Sequence, residues 1–446
     1  MIRVDLDHIA DVTGGTLHGD GALMVSNVVI DSRDATAGTL FAALVGDHAD
    51  GHAYVATAIA AGATAALVTH AVEAPCVVVD DVTDALGLLA RDNLRHTAPL
   101  VIGVTGSHGK TSVKDLLAHV LEQSGPTVAP VGSFNNQWGV PLTVLRTDPA
   151  TKFLVVEMGA RGIGHIADLC RIAPPDVGVV LNVGTAHLGE FGSAEGIARA
   201  KGELIESLPS HGVAVLNADD PFVAAMAVRT SARRLTFGVT GDVALGEVTL
   251  DDGGEPHFTL TYDGVTADVH VPQIGAHHAI NAAAATAAAI AAGLDLPTIA
   301  ERLGAAGAVS PMRMERHVRA DGLVVINDAY NANPESMAAA LRAVADIGHG
   351  HAVAVLGEML ELGDGSADAH REIGALAARL GFARVVAVGE GARPIADGAG
   401  AIAEVVADPD MAIRTLSASL HADDVVLVKA SRGVRLERVA HALLDS

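Results

Sequence analysis

One stretch constrains the fold more than any other part of the chain: residues 101–115, which read VIGVTGSHGKTSVKD. The apolar run up to Val104 predicts a buried strand, and the amphipathic segment that starts at Ser112 predicts a helix. The turn between them is rich in glycine, so backbone N–H groups can converge on one point at the start of the helix. The helix dipole favours negative charge at that point. The stretch therefore predicts a phosphate-binding turn.

The residues of this turn also indicate which phosphate compound binds. Lys110 can reach the outer phosphates of a nucleotide, and the hydroxyl of Thr111 can ligate Mg²⁺. We therefore predict an ATP site. Its contacts come from one continuous segment, Thr105, Gly106, Ser107, His108, Gly109, Lys110 and Thr111.

Length and charge limit the remaining possibilities. The chain has 446 residues, of which 50% are hydrophobic, enough for several cores and roughly two to four domains. Its net charge of −24 argues against nucleic acid or an anionic membrane surface as a partner. Cys76 and Cys170 lack metal-like spacing and fit a reducing cytoplasm. We expect a cytoplasmic protein without a signal peptide or membrane span, and a monomer, since nothing in the sequence demands an oligomer.

Alternating strand and helix patterns divide the chain into three α/β domains. Residues 1–98 form a small α/β domain that precedes the phosphate turn. Residues 99–312 form a doubly wound, mostly parallel sheet, to which the short alternating runs between residues 233 and 271 add antiparallel hairpins. Residues 313–446 form a second doubly wound, Rossmann-like domain. Such sheets bind ligands at the carboxyl ends of their strands, so polar side chains at those ends are the candidates for binding.

Two side chains near the central sheet are candidates for metal binding. Glu157 ends an apolar strand, and a carboxylate there suits Mg²⁺, although a solvated acid at a strand end is an equally good interpretation. His187 follows the next such strand and is a candidate metal ligand or base. A lone histidine is more often structural, and Mg²⁺ seldom prefers imidazole. Spacing alone therefore leaves both roles open.

Lysine is scarce in this chain, with five lysines against 24 arginines. A retained lysine can mark a site that needs a compact or reactive amine. Lys201 lies inside a predicted helix, where a lysine usually extends its amine to water. A functional role is an equal alternative. One specific possibility is a carbamate, formed when CO₂ adds to the amine and leaves an anionic oxygen ligand for a metal.

Three polar turns hold further candidates for substrate binding. In the last domain, more hydrogen-bonding side chains crowd at the end of a strand than a helix cap needs. The candidate residues are Asn135, Asn136 and Thr143 in the first turn, Tyr330, Asn331 and Asn333 in the second, and Lys429 and Arg432 in the third. For the first turn, a loop rich in asparagine and glycine is the structural alternative.

The order of these strings resembles the Mur ligase family of peptidoglycan synthesis over nearly the whole chain. The turn TGSHGKT fits that family better than a general P-loop ATPase, because Val104 stands where a strict Walker spacing needs glycine. The segments that follow in the family's order are FNNQWGVPLT, EMGA, NVGTAHLGEFGS, AKGE and LNAD. Two strings of the last domain, NDAYNANPESM and VKASR, look like the MurF type.

The resemblance implies a ligase that joins D-alanyl-D-alanine to the tripeptide carboxylate of UDP-N-acetylmuramoyl-tripeptide, with ATP and two Mg²⁺ sites. ATP would convert the carboxylate into an acyl phosphate, which the dipeptide amine then attacks. Because water would destroy that intermediate, the last domain is expected to close over the middle one. Such an enzyme serves cell-wall biogenesis, cell shape and cell division.

The resemblance also implies residue roles. The residues so assigned are Lys110, Lys201 and His187 for catalysis, Thr111, Glu157 and His187 for Mg²⁺, Asn281, Arg313 and Asp328 for ATP, and Ser32 and Arg33 for the uridine nucleotide. Lys201 is implied to be carbamylated. The adenine segment departs from the family's usual pattern, because His278 stands where an asparagine is usual. The resemblance therefore assigns an adenine-binding role to Asn281 and none to position 278.

Two other functions are alternatives. A MurE-type ligase would add a diamino acid to the UDP-muramoyl-dipeptide, but it often carries the string DNPR in its last domain, and that string does not occur here. A regulatory P-loop ATPase would hydrolyse ATP without forming a bond between two substrates.

Overall fold

The structure, a computed structural model of the chain, describes residues 1–46, 49–184, 191–307 and 310–445. Three α/β units follow one another along the chain, each with its own main sheet. This confirms the predicted class, a three-domain α/β chain with mostly parallel sheets. The domain boundaries near residues 98 and 312 stay predictions. In the part of the chain that the structure describes, no helix is both long and apolar enough to cross a membrane.

The first unit is a small sheet covered by helices. Its elements are β1 (Val4–Asp5), α1 (Leu6–Thr13), β2 (Thr16–His18), β3 (Met24–Val25), β4 (Asn27–Val29), β5 (Thr39–Ala42), α2 (Val55–Ala61), β6 (Ala65–Val68), β7 (Cys76–Val78) and α3 (Val82–Thr97). The order is β2-β7-β6-β5-β4, with β2 antiparallel and the other neighbours parallel. Asp81 caps α3 by accepting hydrogen bonds from the N–H groups of Thr83 and Asp84, which fixes the start of this helix beside the central unit.

The central unit contains the predicted parallel sheet. Its elements are β8 (Leu100–Thr105), α4 (Lys110–Glu122), β9 (Thr127–Val128), α5 (Gly139–Val144), β10 (Phe153–Glu157), α6 (His165–Ile172), β11 (Val177–Val180), α7 (Ala194–Glu206), β12 (Val213–Asn217), α8 (Pro221–Ala224), β13 (Arg233–Gly238), β14 (Val243–Leu245), β15 (Thr249–Leu250), β16 (Pro256–Tyr262), β17 (Val265–His270), α9 (His277–Ala291) and α10 (Leu296–Leu303). β8 pairs in parallel with β10 on one side and β11 on the other, so the phosphate turn leaves the middle of the sheet.

The predicted hairpins are present, but they begin later than the change in texture at residue 233 suggests. β13 and β14 still belong to the parallel part of the sheet, because β13 pairs in parallel with both β12 and β14. β16 then pairs antiparallel with β14, β15 and β17. β14 ends before Gly246, where a side chain would meet Thr259 Oγ1 at 2.2 Å, and β15 begins three residues later.

The last unit repeats the doubly wound pattern. Its elements are β18 (Glu315–Val318), β19 (Val324–Asp328), α11 (Pro334–Gly348), β20 (Ala352–Leu356), α12 (Ser366–Arg379), β21 (Arg384–Val388), α13 (Arg393–Ala399), β22 (Ala403–Val406), α14 (Pro409–Ser417), β23 (Val425–Lys429) and α15 (Glu437–Leu444). The order is β18-β19-β23-β20-β21-β22, parallel except for the edge strand β18. β19 and β23 lie side by side, so the polar turns that follow them lie at one edge of the sheet.

The sequence patterns did not predict β1, α1, β2, β3, α5, α8, β13, α10 and β18. Four of these strands, β1, β2, β3 and β18, are two to four residues long, which is too short for an alternation to stand out. β13 lies at the start of the segment that was assigned to hairpins. α5 has only six residues, and Pro141 and Thr143 interrupt any simple apolar period within it.

Candidate active site

The carboxyl ends of the central strands open into a cleft of about 1590 Å³. The first unit contributes one face of α3, and the central unit contributes the phosphate turn and the start of α9. The last unit contributes the turns after β19 and β23. Segments of all three units therefore line one cavity.

The phosphate turn is held by its own glycines and by Asn182. The N–H groups of Ser107 and His108 donate to Asn182 Oδ1 at 2.9 and 3.1 Å. Gly109 has a φ of +80°, and a side chain there would meet Asn281 Oδ1 at 2.7 Å, so the position requires glycine. Two backbone donors thus point at one oxygen atom, which is the geometry that a phosphate oxygen uses at a helix N-terminus.

Lys110 begins α4 and folds back over the turn, where its Nζ donates to the carbonyl oxygen of Gly106 at 2.7 Å. Burial lowers the pKa of Lys110, while the carboxylate of Glu157 acts in the opposite direction. Burial also lowers the pKa of the His108 imidazole. A buried amine of this kind is stabilised in its charged form when an anion binds next to it.

Thr111 and Glu157 form a buried cluster of oxygen atoms beside the turn. Thr111 Oγ1 donates to Glu157 Oε2 at 2.9 Å, and Asn135 Nδ2 donates to Glu157 Oε1 at 2.7 Å. Glu157 is 1% exposed, and no cationic side chain of the described residues forms an ion pair with it. A buried carboxylate with only neutral donors favours a cation, and hydroxyl and carboxylate oxygens are ligands that Mg²⁺ prefers. These residues therefore fit the predicted metal, and His187 lies outside the described residues.

Arg313 connects the start of the last unit to the phosphate turn. Its Nη2 donates to Thr111 Oγ1 at 3.1 Å and to Ser133 Oγ at 2.8 Å. The guanidinium lies 4.4 Å from the ring centroid of Tyr330, within cation–π distance. Met312 and Met314, on either side of Arg313, have φ of +57° and +49°, a conformation that L-residues rarely adopt. A strained bend therefore directs Arg313 into the cleft.

Asp328 and Lys429 form an ion pair at the ends of two neighbouring parallel strands. Their positions are paired in the register of β19 and β23, and Lys429 Nζ donates to Asp328 Oδ2 at 2.6 Å. Lys429 is 2% exposed, and burial lowers its pKa although Asp328 opposes the shift. The N–H of Met314 donates to Asp328 Oδ1 at 3.2 Å, so the pair also holds the bend around Arg313.

Lys201 lies on α7 and lines the cleft although it is only 6% exposed. Its amine makes no hydrogen bond to any residue that the structure describes. Burial, assisted by the charge of Lys110, lowers the pKa of Lys201 well below its usual value. Lys201 is therefore not a surface lysine that extends to water, and its surroundings favour the neutral, nucleophilic amine.

The start of α9 brings two histidines to the cleft. The ring centroids of His277 and His278 lie 4.3 Å apart, and burial lowers the pKa of His277 to about 4 and that of His278 well below its usual value. His278 is 4% exposed, and neither of its ring nitrogens has a partner in the described part of the chain. Asn281 follows one turn later and lies against Gly109. His278, which departs from the family's usual pattern, is thus a buried imidazole whose surroundings favour the neutral form.

Most of the predicted site residues meet in this one cleft. Those that line it are Gly106, Ser107, His108, Gly109, Lys110, Thr111, Asn135, Asn136, Glu157, Lys201, Asn281, Arg313, Asp328, Tyr330, Asn331, Asn333, Lys429 and Arg432. Two of them also have local roles. Asn333 caps α11, and Asn136 Oδ1 accepts hydrogen bonds from the N–H groups of Trp138 and Gly139.

The side chains of Thr105 and Thr143 do not line the cleft. Thr105 Oγ1 donates to the carbonyl oxygen of Met158 at 2.8 Å, which joins the ends of β8 and β10. Thr143 is 1% exposed, and its hydroxyl donates to the carbonyl oxygen of Gly139 at 2.8 Å within α5. The polar string before α5 suggested a binding role for Thr143, but the helix turns this residue into the core.

Ser32 and Arg33 lie in a turn of the first unit and do not line the cleft either. The Arg33 guanidinium pairs with the carboxylate of Asp31, and this pairing lowers the pKa of Asp31 to about 2. Arg33 is largely exposed, so it remains accessible to a ligand that reaches the first unit.

Several residues of the cleft were not predicted. Ser133 lines the cleft and stands directly before the string FNNQWGVPLT. Asn182, the first residue of NVGTAHLGEFGS, contacts the phosphate turn without lining the cleft. Each follows a strand of the central sheet, which is the signal that could have identified it. Arg91 and Asp84 line the cleft from α3. No sequence signal marks them, because a charged residue on an amphipathic helix normally faces water.

Models of three protein domains match successive parts of the chain between residues 24 and 432. Residues 24–93 match the catalytic domain of the Mur ligase family, residues 104–289 match the Mur ligase middle domain, and residues 312–432 match the Mur ligase glutamate ligase domain.

Individual relatives cover all or nearly all of the chain. A UDP-N-acetylmuramoyl-tripeptide–D-alanyl-D-alanine ligase of Mycobacterium tuberculosis is 44% identical, over 100% of this chain and 98% of the relative. The Escherichia coli ligase of the same name is 35% identical, over 100% of this chain and 99% of the relative. A crystal structure of MurF from Acinetobacter baumannii superposes with a TM-score of 0.91 at 32% identity, over 100% of both chains. MurF from Thermotoga maritima, in complex with ADP, has a TM-score of 0.83 at 31% identity, over 94% of this chain and 97% of the Thermotoga chain.

Proposed function

This chain belongs to the Mur ligase family, as an ATP-dependent ligase that joins D-alanyl-D-alanine to UDP-N-acetylmuramoyl-tripeptide in peptidoglycan precursor synthesis, and we propose that the reaction takes place in the cleft between its three units. The convergence of segments on that cleft is the observation that carries the proposal. The phosphate turn, the bend at Arg313 and the Asp328–Lys429 pair all line it.

We propose a reaction in two steps. In the first, an oxygen of the tripeptide carboxylate attacks the γ-phosphorus of ATP, the bond to the β-phosphate oxygen breaks, and ADP leaves. In the second, the amine nitrogen of D-alanyl-D-alanine attacks the acyl carbon, the bond to the phosphate oxygen breaks, and the amine gives up a proton. Both steps need negative charge on phosphate oxygens to be positioned and neutralised.

The basic residues of the cleft are suited to that task. Lys110 and the N–H groups of the phosphate turn would neutralise the outer phosphates of ATP. Arg313 and Asp328 would contact ATP from the last unit, and Asn281 would contact the adenine. These roles are supported by the contacts of Arg313 with Thr111 and of Asn281 with Gly109.

Mg²⁺ is part of the same proposal. Thr111 would hold one ion, and Glu157 with His187 would hold a second. When bound, Mg²⁺ would supply positive charge next to the phosphate oxygens. The buried hydroxyl and carboxylate oxygens of Thr111 and Glu157 support this assignment.

We also propose that Lys201 carries a carbamate. The neutral amine would attack CO₂, a C–N bond would form, and one proton would leave, which gives an anionic carboxylate on the former amine. The low pKa of Lys201 supports this step, because only the neutral amine reacts. The carbamate would replace a buried amine that has no hydrogen-bond partner among the described residues with an anion next to Lys110.

The remaining assignments concern the two substrates. Ser32 and Arg33 are proposed to bind the uridine nucleotide, and Asn135 and Asn136 the sugar or phosphate region. The residues proposed for the dipeptide are Tyr330, Asn331, Asn333, Lys429 and Arg432. We propose that the enzyme acts as a cytoplasmic monomer.

Closure of the last unit over the central one would protect the acyl phosphate from water. Arg161 of the central unit and Glu361 of the last already lie 3.5 Å apart at the mouth of the cleft, which supports an approach of these two surfaces. Small-angle scattering with an ATP analogue and both substrates should detect a smaller radius of gyration. An unchanged radius would contradict closure.

Omission of single substrates tests the function itself. Phosphate release should require ATP, the UDP-muramoyl-tripeptide and D-alanyl-D-alanine together. Release at the full rate with ATP alone would instead indicate a regulatory ATPase. Consumption of a single diamino acid with the UDP-muramoyl-dipeptide would indicate the MurE type. The same assay therefore separates all three functions.

A further inference from the structure

Two histidines and two carboxylates cluster on the antiparallel part of the central sheet, away from the cleft. His257 on β16 and His270 on β17 are paired directly across the hairpin. Their ring centroids lie 4.5 Å apart, and the ring planes differ by 15°. Asp251 and Glu255 come from the loop between β15 and β16. None of these four residues lines the cleft.

The carboxylates are aimed at the two imidazoles. His257 Nε2 lies 3.3 Å from Asp251 Oδ2, and His270 Nε2 lies 2.7 Å from Glu255 Oε2. The loop that carries both carboxylates is ordered by its own hydrogen bonds, because Asp251 Oδ1 accepts from the N–H groups of Gly253 and Glu255 at 2.9 and 3.0 Å.

We propose that Asp251, His257 and His270 form a binding site for a divalent transition-metal ion, with Zn²⁺ as the preferred occupant. One candidate ligand atom from each residue lies within 4.8 Å of the others, close enough for small side-chain rotations to bring all three onto one ion. Glu255 is a positioning residue, because it holds the ring of His270 in the way that carboxylates orient metal-bound histidines.

The donor set selects the metal. Two imidazoles and one carboxylate suit Zn²⁺, whereas Mg²⁺ and Ca²⁺ prefer oxygen ligands. The side chains of His257 and His270 are 49% and 34% exposed, so an ion and a fourth ligand from water can reach them. They line a groove of about 490 Å³, whose wall also carries Glu247 and Asp268. The negative charge of this groove favours a cation.

An ion at this site would join the loop at 251–255 to the hairpin. Gly254, in the middle of that loop, has a φ of +79°, and a side chain there would meet Ile347 Cγ2 of α11 at 2.6 Å. The loop therefore packs against the last unit. A metal ion would stabilise the hairpin and the loop together, so we expect it to raise the melting temperature of the intact chain.

The test uses the full chain without an affinity tag, after treatment with a chelator. Titration with Zn²⁺ alone, followed by calorimetry, should detect a site that His257→Gln and Asp251→Asn each weaken at least about tenfold. Asp251→Asn keeps an oxygen that can accept the loop hydrogen bonds, so it removes charge without opening the loop. Co²⁺ should give the visible absorption of a four-coordinate site in the parent chain and not in these variants.

His317→Gln is the matched control, since His317 Nε2 lies 3.2 Å from Glu315 Oε1 but no second imidazole of the described residues stacks on it. Its Zn²⁺ affinity and its Co²⁺ spectrum should equal those of the parent chain. Equal Zn²⁺ binding by the parent chain and His257→Gln would overturn the proposal, as would no binding by the parent chain at micromolar Zn²⁺. Ligase activity of His257→Gln should be unchanged, so failure of this proposal leaves the proposed function intact.

Discussion

Arg313 and Thr111 are 202 residues apart in the chain, yet Arg313 Nη2 donates to Thr111 Oγ1 at 3.1 Å. The first residue lies at the start of the last unit, and the second lies in the helix that follows the phosphate turn. This hydrogen bond is therefore a direct connection between the proposed ATP site and the unit that we expect to close over it.

Arg313→Lys should lower kcat/KM for ATP about 10- to 100-fold. Lysine keeps the charge, but it lacks the planar group that reaches Thr111 and Ser133 while it stacks on Tyr330. Steady-state kinetics with varied ATP measures the effect. Arg316→Lys is the control, because Arg316 is exposed on β18 and does not line the cleft. Equal losses in both variants would argue against a specific role for Arg313.

Glu157→Gln should raise the Mg²⁺ concentration needed for half-maximal activity by about tenfold or more. The amide can still accept a hydrogen bond from Thr111, but it lacks the charge that a hard cation prefers. Activity measured against Mg²⁺ at saturating substrates gives the shift. Glu122→Gln, at the exposed end of α4, should not change the Mg²⁺ concentration needed for half-maximal activity. An identical Mg²⁺ curve for Glu157→Gln would exclude it as a ligand.

Lys201→Ala should be nearly inactive, with a loss of about 10²- to 10³-fold, and short carboxylic acids should partly restore activity. The acid would supply the anionic oxygens that the carbamate no longer provides. Lys152→Ala, at an exposed position, should show neither the loss nor the rescue. Full activity of Lys201→Ala would refute the carbamate. A loss of activity that carboxylic acids do not restore would mean that Lys201 is needed for a reason other than a carbamate.

Asp328→Asn and Lys429→Met should each destabilise the last unit by about 3 kcal/mol or more, because each leaves one buried charge without its partner. The loss of unfolding free energy in the double variant should be clearly smaller than the sum of the losses in the two single variants. Urea unfolding of the four proteins measures the coupling energy. Strictly additive losses would mean that the pair contributes nothing as a pair.

Acid should destabilise the chain through His277 between pH 6.5 and about 4. Its folded pKa is lowered by burial, so the unfolded chain binds the proton first as the pH falls below 6.5. The contribution of His277 to stability is complete above pH 6.5, and up to about 3 kcal/mol is lost by pH 4. His277→Asn should reduce this dependence in urea unfolding series, whereas exposed His18→Asn should not. The same decrease of unfolding free energy with falling pH in the parent chain and in His277→Asn would contradict the prediction.

The family of this protein and its three α/β units could be predicted from sequence, and most of the residues predicted for the site do line the cleft. Residues 100–122 are an example: an apolar strand, a glycine turn and an amphipathic helix follow from hydrogen bonds and side-chain spacing within one segment. The polar ends of β19 and β23 were likewise identified, because the edge of a parallel sheet collects them wherever the strands lie.

Tertiary contacts decided the rest, since they depend on which distant segments pack together. The sequence did not separate Thr143 from Asn135, although α5 buries the first and the loop before α5 places the second at Glu157. It also did not predict that Asn182 meets the phosphate turn, or that His257 and His270 face each other across a hairpin. Local patterns determine each element, whereas strand order and register determine which side chains become neighbours, and that information is distributed over the whole chain.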